Sequence, residues 1–175
     1  MEMFVTGVAS DIANERPVLI LNDSGRQKWL PIWIGPAEAS AINIALADLK
    51  PERPLTHDLL LNAIVELGYV VRQVEITEFA SSTFYARIIV WQPGAGEDRQ
   101  ASKIIDARPS DAVALALRAR APIFVADDVV EQRAVPVELV DEEKDREDFK
   151  KFVEGLKPSD FKLRGEGEIS DSSAL

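Results

Sequence analysis

The sequence predicts an α+β fold: a mixed, largely antiparallel sheet with two or three packed helices, in a single domain that is followed by a C-terminal helix. Two groups of three strand-like segments predict the sheet, and an apolar helix that opens with proline follows each group. Hydrophobic residues make up 46% of the 175 residues, which is enough for one sizeable core. We therefore expect a folded domain over residues 1–140, a C-terminal amphipathic helix and extension over 141–164, and a disordered tail over 165–175.

Three strand-like segments open the chain and predict a first meander: Met3–Ala9, Pro17–Leu21 and Lys28–Ile34. Trp29 and Trp33 share one face of the third strand, because side chains alternate with a period of two. Pro31 cannot donate to a strand ladder, which predicts an edge or a bulge at that position. A helix then begins at Pro36 and runs through Ala47.

The rest of the domain repeats this order of strands followed by a helix. A helix over Asp58–Leu67, with Thr56 as its N-cap, precedes a second meander. The strands of that meander are expected at Tyr69–Phe79, Thr83–Trp91 and Gln100–Ile105. After them come a helix over 109–119, a short strand Pro122–Val125, helical turns at Asp127–Gln132, an extended piece Val135–Leu139 and a charged helix Glu142–Leu156.

The two proline-opened helices, 36–47 and 109–119, are apolar on nearly every face. One sheet layer covers only one face of a helix, so the other faces need distant parts of the chain or a second copy. Trp29, Trp33 and the edge near Pro31 offer further apolar surface. We therefore expect a homodimer whose isologous interface buries part of one of these helices or the adjacent edge strand.

Composition and charge exclude several functions. The chain has no cysteine, which excludes disulfides, thiolate zinc sites and cysteine nucleophiles. No signal peptide is visible and no apolar run approaches the roughly 18 residues of a membrane span, so we expect a cytoplasmic protein without a membrane partner. The net charge of −10 repels nucleic acid at long range and argues against tight, non-specific nucleic-acid binding. Walker loops and the common hydrolase motifs are also missing.

Polar residues with chemical potential concentrate near helix starts and at one strand end. They are Glu38, Arg53, His57, Asp58, Asp106, Arg108 and Asp111. Carboxylates with a histidine suit Mg²⁺ or Mn²⁺, and arginines bind phosphate through bidentate contacts. If the helices pack on one sheet edge, we expect Glu38, His57, Asp106, Arg108 and Asp111 to share one pocket. The alternative is structural: acids in a first turn stabilise a helix without any function, and a lone histidine often makes one structural hydrogen bond.

Four segments of the chain resemble the bifunctional nuclease domain family: Leu30–Ala39, Arg53–Leu60, Thr83–Ala86 and Asp106–Arg118. The resemblance covers residues 1–135 and implies an α+β fold, a homo-oligomer in the form of a dimer, and nuclease activity on both DNA and RNA. Plant members of this family carry an added UVR motif after the domain. The tail segment Asp148–Leu156 does not match that motif, which puts a role in defence or repair in doubt.

Two classes of function are consistent with these residues. The first is a nuclease that hydrolyses phosphodiester bonds with Mg²⁺ or Mn²⁺. For it we predict catalytic roles for His57, Asp58, Asp106 and Asp111, substrate binding by Arg53 and Arg108, and metal binding by Glu38, Asp106 and Asp111. The second is a non-enzymatic, oligomeric ligand-binding or regulatory module, in which the same residues cap helices and form a subunit interface.

Overall fold

The computed structural model describes residues 1–11, 16–94 and 101–136. The helices of this part are α1 (Pro36–Leu46), α2 (Thr56–Glu66), α3 (Pro109–Ala119) and α4 (Asp127–Arg133). The strands are β1 (Glu2–Asp11), β2 (Arg16–Asn22), β3 (Lys28–Trp33), β4 (Val70–Ala80), β5 (Thr83–Trp91), β6 (Ser102–Ala107), β7 (Ile123–Val125) and β8 (Val135–Pro136). The predicted C-terminal helix and tail lie outside the described residues.

The strands form one eight-stranded sheet in the order β6-β5-β4-β7-β1-β2-β3-β8. The predicted meanders, β1-β2-β3 and β4-β5-β6, are both present, and β7 joins them. β7 pairs in parallel with β4 and antiparallel with β1, and the other neighbouring pairs are antiparallel. The predicted α+β class with a mixed, largely antiparallel sheet is therefore confirmed.

Helix α3 lies at the centre of the fold. Ala112–Ala116 are fully buried, and α3 contacts α1, α2, β4 and β5. The apolar faces of this helix are thus covered by its own chain, so α3 requires no second copy for its burial. Helix α1 differs, because against the part of the chain that the structure describes it buries only Ala39 and Ile42. The described residues thus leave much of the surface of α1 uncovered.

The sheet is strongly curved. Helix α4 contacts both β3 and β4, which stand four places apart in the strand order. Neighbouring strands are about 4.8 Å apart, so a flat sheet would separate β3 from β4 by about 19 Å. At the end of α4, the guanidinium of Arg133 lies over the ring of Phe79 in β4, 3.6 Å from its centroid. The chain then enters β8, where Val135 pairs with Trp29 of β3.

The second face of β2 and β3 carries a smaller core. Val18, Ile20 and Trp29 are buried together there, and Trp33 packs against them. The two tryptophans therefore share a face, as predicted from their spacing. The expectation that Trp29 offers free apolar surface was wrong, because its exposed fraction is 6%.

Two predicted boundaries near the candidate residues need correction. Thr56 is not the N-cap of α2 but its first residue, and Leu55 takes the N-cap position. The backbone N–H of Leu55 donates to Asp58 Oδ2 at 2.9 Å, so an acid three residues on supplies the capping acceptor. Strand β6 continues to Ala107 instead of ending at Ile105, so Asp106 lies within the strand. In the part of the chain described, no helix is long and apolar enough to cross a membrane.

Candidate functional site

Three helix N-termini meet at one place and bring four predicted residues together. Glu38 lies in the first turn of α1, His57 in the first turn of α2, and Asp111 in the first turn of α3, while Arg108 is the N-cap of α3. Both α1 and α2 pack against α3, which brings the three first turns together. We call Glu38, His57, Arg108 and Asp111 the polar cluster.

Arg108 links two helices through two carboxylates. Its Nη1 lies 2.8 Å from Glu38 Oε1, its Nε donates to Asp111 Oδ2 at 2.7 Å and its Nη2 donates to Asp111 Oδ1 at 3.2 Å. The pairing with Asp111 is bidentate, which fixes the orientation of the guanidinium. The side chain of Arg108 is 66% exposed, against 18% for Glu38 and 29% for Asp111. The guanidinium therefore faces solvent, above two less accessible carboxylates.

His57 contacts the same Asp111 from the other side. Its Nε2 lies 3.2 Å from Asp111 Oδ1, and 13% of its side chain is exposed. An ionised carboxylate only accepts hydrogen bonds, so Nε2 carries the hydrogen in this pair. In the neutral imidazole the lone pair then lies on Nδ1. The pairing thus fixes which nitrogen of His57 is free to accept a proton.

The contacts of the cluster determine its charge. Burial raises the pKa of Asp111, but hydrogen bonds from Arg108 and His57 outweigh that effect, and the pKa lies below its ordinary value. The hydrogen bond and charge of Asp111, followed by those of Glu38, raise the pKa of Arg108. At neutral pH the carboxylate of Asp111 is therefore ionised and the guanidinium of Arg108 is protonated.

The position of Glu38 depends on Gly35, the N-cap of α1. The carboxylate of Glu38 folds back over the Cα of Gly35, and a Cβ placed on Gly35 would overlap Glu38 Oε2. Gly35 has an ordinary extended conformation, with φ of −81°. Its lack of a side chain therefore matters for the space it leaves to Glu38, not for its backbone conformation.

Arg118 is a buried residue of this region to which the sequence analysis gave no role. Its side chain is 7% exposed and lies among α1, α2 and α3. Nε donates to Asp58 Oδ1 at 2.6 Å, and Nη1 donates to the carbonyl oxygens of Ala41 at 3.1 Å and Ala114 at 2.9 Å. From sequence, an arginine in the last turn of a helix has the ordinary role of complementing the helix dipole. The sequence signal that could have found it is its spacing of seven residues from Asp111, which places both on one face of α3.

Three predicted site residues are not part of the polar cluster: Asp58, which pairs with Arg118, and Asp106 and Arg53. Asp106 lies opposite Arg87 in the register of strands β5 and β6, while its neighbour Ala107 packs against the core. Because successive side chains of a strand alternate between faces, Asp106 lies on the sheet face opposite to the helices. Arg53 is exposed in the loop before α2 and makes no hydrogen bond or ion pair with the residues described. The predicted shared pocket was therefore wrong for Asp106, and Arg53 does not join the cluster either.

The cluster as it stands does not form a metal site. Within residues 1–11, 16–94 and 101–136, no three histidine or acidic residues are placed to hold an ion together. The guanidinium of Arg108 already bridges the carboxylates of Glu38 and Asp111. The Mg²⁺ or Mn²⁺ expected from the sequence stays a prediction, and the geometry itself gives it no support.

The fold and the polar cluster together define a class of protein, namely an α+β domain with a histidine, two carboxylates and an arginine at converging helix N-termini. The chain belongs to the bifunctional nuclease domain family, because the family model with that description matches residues 19–138. The matched range includes all four residues of the polar cluster.

Relatives of two kinds share this domain. An uncharacterized protein of Mycobacterium tuberculosis H37Rv is 38% identical over 169 residues, which cover 92% of this chain and 98% of that protein. Bifunctional nuclease 1 of Oryza sativa subsp. indica is 28% identical over 115 residues, covering 66% of this chain and 34% of the plant protein. Bifunctional nuclease 1 of Arabidopsis thaliana is 26% identical over 121 residues, covering 68% and 36%. The match to the plant proteins thus spans about a third of their length.

Proposed function

We propose that this chain is a nuclease that hydrolyses phosphodiester bonds in DNA and RNA, with the polar cluster as its site. One observation carries the proposal: His57, Asp111, Arg108 and Glu38 form a continuous chain of contacts between three helices. These four residues lie inside the region that matches the nuclease family model, and the plant relatives are named bifunctional nucleases.

Each member of the cluster has a chemical role in this proposal. His57, oriented through Nε2 by Asp111, uses Nδ1 as general base toward a water molecule or a ribose hydroxyl. Arg108 has five N–H donors, of which three bond to Glu38 and Asp111. The remaining two donors bind non-bridging phosphate oxygens, where charge develops as the bond breaks. Glu38 keeps the exposed guanidinium in place for this contact.

The alternative is a non-enzymatic, oligomeric ligand-binding or regulatory module. Two observations favour it: the net charge is −10, and Arg108, Asp111 and His57 are all engaged by other members of the cluster. In this reading the cluster ties three helix starts together. The wild type would then cleave neither substrate, and removal of cluster members would only lower the stability of the protein.

A cleavage assay with matched variants distinguishes the two functions. The purified protein is incubated with plasmid DNA and with single-stranded RNA, beside His57→Ala and Asp111→Asn. We expect the wild type to cleave both substrates and His57→Ala to lose about 10²–10⁴-fold in rate, the usual contribution of a general base. Arg87→Met is the control, because it removes an ion pair with Glu75 (2.5 Å) on the opposite sheet face.

Thermal melts of every variant separate loss of chemistry from loss of fold. Equal cleavage by the wild type and His57→Ala would show that the activity is not that of this site. Assays in EDTA and with added Mg²⁺ or Mn²⁺ test the metal prediction. Undiminished cleavage in EDTA would contradict a metal requirement.

A further inference from the structure

The cluster contains no group that fixes α2 in rotation, although His57 must meet Asp111 with the correct ring edge. Arg118 and Asp58 supply that constraint. Asp58 follows His57 directly on α2, and it pairs with Arg118 on α3. The two adjacent residues of α2 are therefore bound to two different residues of the same neighbouring helix.

The spacing on α3 explains how the two contacts act together. Arg118 follows Asp111 by seven residues, which is close to two helical turns, or about 10.5 Å along the axis. Both residues therefore lie on one face of α3, the face against which α2 packs. The Arg118 side chain runs back toward Asp111, as its bond to the Ala114 carbonyl shows. With two such contacts, α2 is fixed in both translation and rotation relative to α3.

Arg118 also holds α1, the helix that carries Glu38. Its Nη1 donates to the carbonyl oxygen of Ala41, three residues after Glu38. A single guanidinium thus contacts all three helices whose first turns form the polar cluster.

We propose that Arg118, acting through Asp58, is a positioning residue that holds His57 against Asp111. The consequence for cleavage depends on the proposed nuclease function, whereas the effect on His57 does not. Both oxygens of Asp58 are occupied, Oδ2 by the Leu55 N–H and Oδ1 by Arg118 Nε. Asp58, predicted as catalytic from sequence, thereby receives a positioning role.

Stability alone is a weak reason for this arrangement. A buried guanidinium loses its hydration, and Arg118 Nη2 finds no hydrogen-bond partner among the residues described. Apolar replacements of buried ion pairs are often neutral or stabilising. An ion pair with a buried arginine, an unsatisfied Nη2 and a partly exposed Asp58 is therefore better explained by the geometry that it imposes on α2.

The expected kinetic effect follows from the geometry. In Arg118→Met, α2 loses its second contact with α3, and the imidazole shifts relative to Asp111. A shift of about 1 Å at a reacting group costs up to about 100-fold in rate. We expect kcat to fall by about 10- to 100-fold, whereas KM changes little because Arg108 still binds phosphate.

The test uses the fact that His57 is the only histidine of the chain. The Cε1–H group of its imidazole therefore gives one proton–carbon correlation in NMR spectra of the full-length protein, which no other histidine can overlap. We expect Arg118→Met and Asp58→Asn to move this resonance in the same direction. The double variant should move it no further than the larger single change, because both act through one contact.

Two variants make the test independent of folding problems. Asp58→Asn keeps an oxygen acceptor for the Leu55 N–H, so it serves if Arg118→Met does not fold. Arg87→Met removes an arginine–carboxylate pair of the same kind far from His57 and should leave the resonance and kcat unchanged.

The outcomes separate this inference from the proposed function. An unchanged His57 resonance in folded Arg118→Met or Asp58→Asn would overturn the positioning role, whatever the activity. A shifted resonance in those variants would support it even if the wild type cleaves nothing, in which case only the nuclease proposal fails. An equal fall in kcat for Arg87→Met would also count against it, because the effect would then not be specific to this contact.

Discussion

Gly35 leaves the space into which the carboxylate of Glu38 folds on its way to Arg108. In Gly35→Ala the new methyl group overlaps Glu38 Oε2, and the flexible side chain moves away because the backbone at φ −81° accepts alanine. Arg108 then loses one of its two carboxylate partners. We expect the cleavage rate to fall by about 10-fold with KM raised, since the guanidinium that binds phosphate is less well oriented. Steady-state kinetics on RNA would measure both parameters.

A second glycine provides the control for this change. A Cβ on Gly25 would meet Asp23 Oδ2 at 3.5 Å, an ordinary contact. Gly25→Ala should therefore leave cleavage unchanged, and both alanine variants should melt near the wild-type temperature. If Gly35→Ala cleaved as fast as Gly25→Ala, Glu38 would have no part in orienting Arg108.

At the scale of single elements, the β4–β5 hairpin has a strained turn. Ser81 and Ser82 join the strands with φ of 48° and 59°, the left-handed region that the tight two-residue hairpin turn requires. Glycine adopts this region without the steric cost that serine has. We expect Ser82→Gly to stabilise the protein by about 1 kcal/mol, seen as a higher melting temperature.

The same substitution in a helix should have the opposite sign. Ser40 is exposed within α1, where glycine is about 0.5 kcal/mol less favourable than serine. A lower melting temperature for Ser82→Gly would mean that the turn is not under the strain that its φ values indicate.

Elements whose ends depend on local chemistry were predicted well. Pro36 and Pro109 begin their helices as expected, because proline lacks the N–H that would have no partner there. The end of β6 was predicted two residues early, since the polar Asp106 suggested a break. An edge strand tolerates such a residue on its outer face while Ala107 still packs against the core. Local patterns do not determine how far a strand continues when only its inner face is buried.

The candidate site depended on contacts that no local pattern encodes. His57 and Asp111 are 54 residues apart in sequence, and their meeting depends on how α2 packs against α3. Their placement at helix starts indicated that they share an edge, which was enough to predict the polar cluster. Arg118 was missed because its burial follows from the packing of three helices, and its sequence position is typical of a solvated helix end.

At the scale of the whole molecule, α2 has a second apolar face that residues 1–11, 16–94 and 101–136 leave exposed. His57, Leu61 and Ile64 point toward the domain, with spacings of four and three. On the other side, Leu59 is 62% exposed and Leu67 is 74% exposed. Monomeric proteins rarely leave several large apolar residues exposed side by side.

These residues define an apolar stripe on α2. Leu59, Ala63 and Leu67 follow each other at intervals of four, and Leu60 adjoins them on the same side. Further exposed apolar residues lie at the ends of α1 and α2: Leu46, Leu49 and Leu55. The stripe is thus continuous along one helix. Because α3 and Trp29 are buried, we expect the subunit interface at this stripe.

We therefore expect a homodimer in which two copies of α2 pack along this stripe about a twofold axis. A stable dimer needs about 800 Å² per partner, so residues beside the stripe would also have to contribute to the interface. Leu59→Glu combined with Leu67→Glu should give a monomer, because four charges would face each other across the axis. Ile104→Glu is the control, since Ile104 is equally exposed, at 64%, but lies on β6. Light scattering at micromolar concentration measures the mass of each variant, and a monomeric wild type would show that the stripe has another purpose.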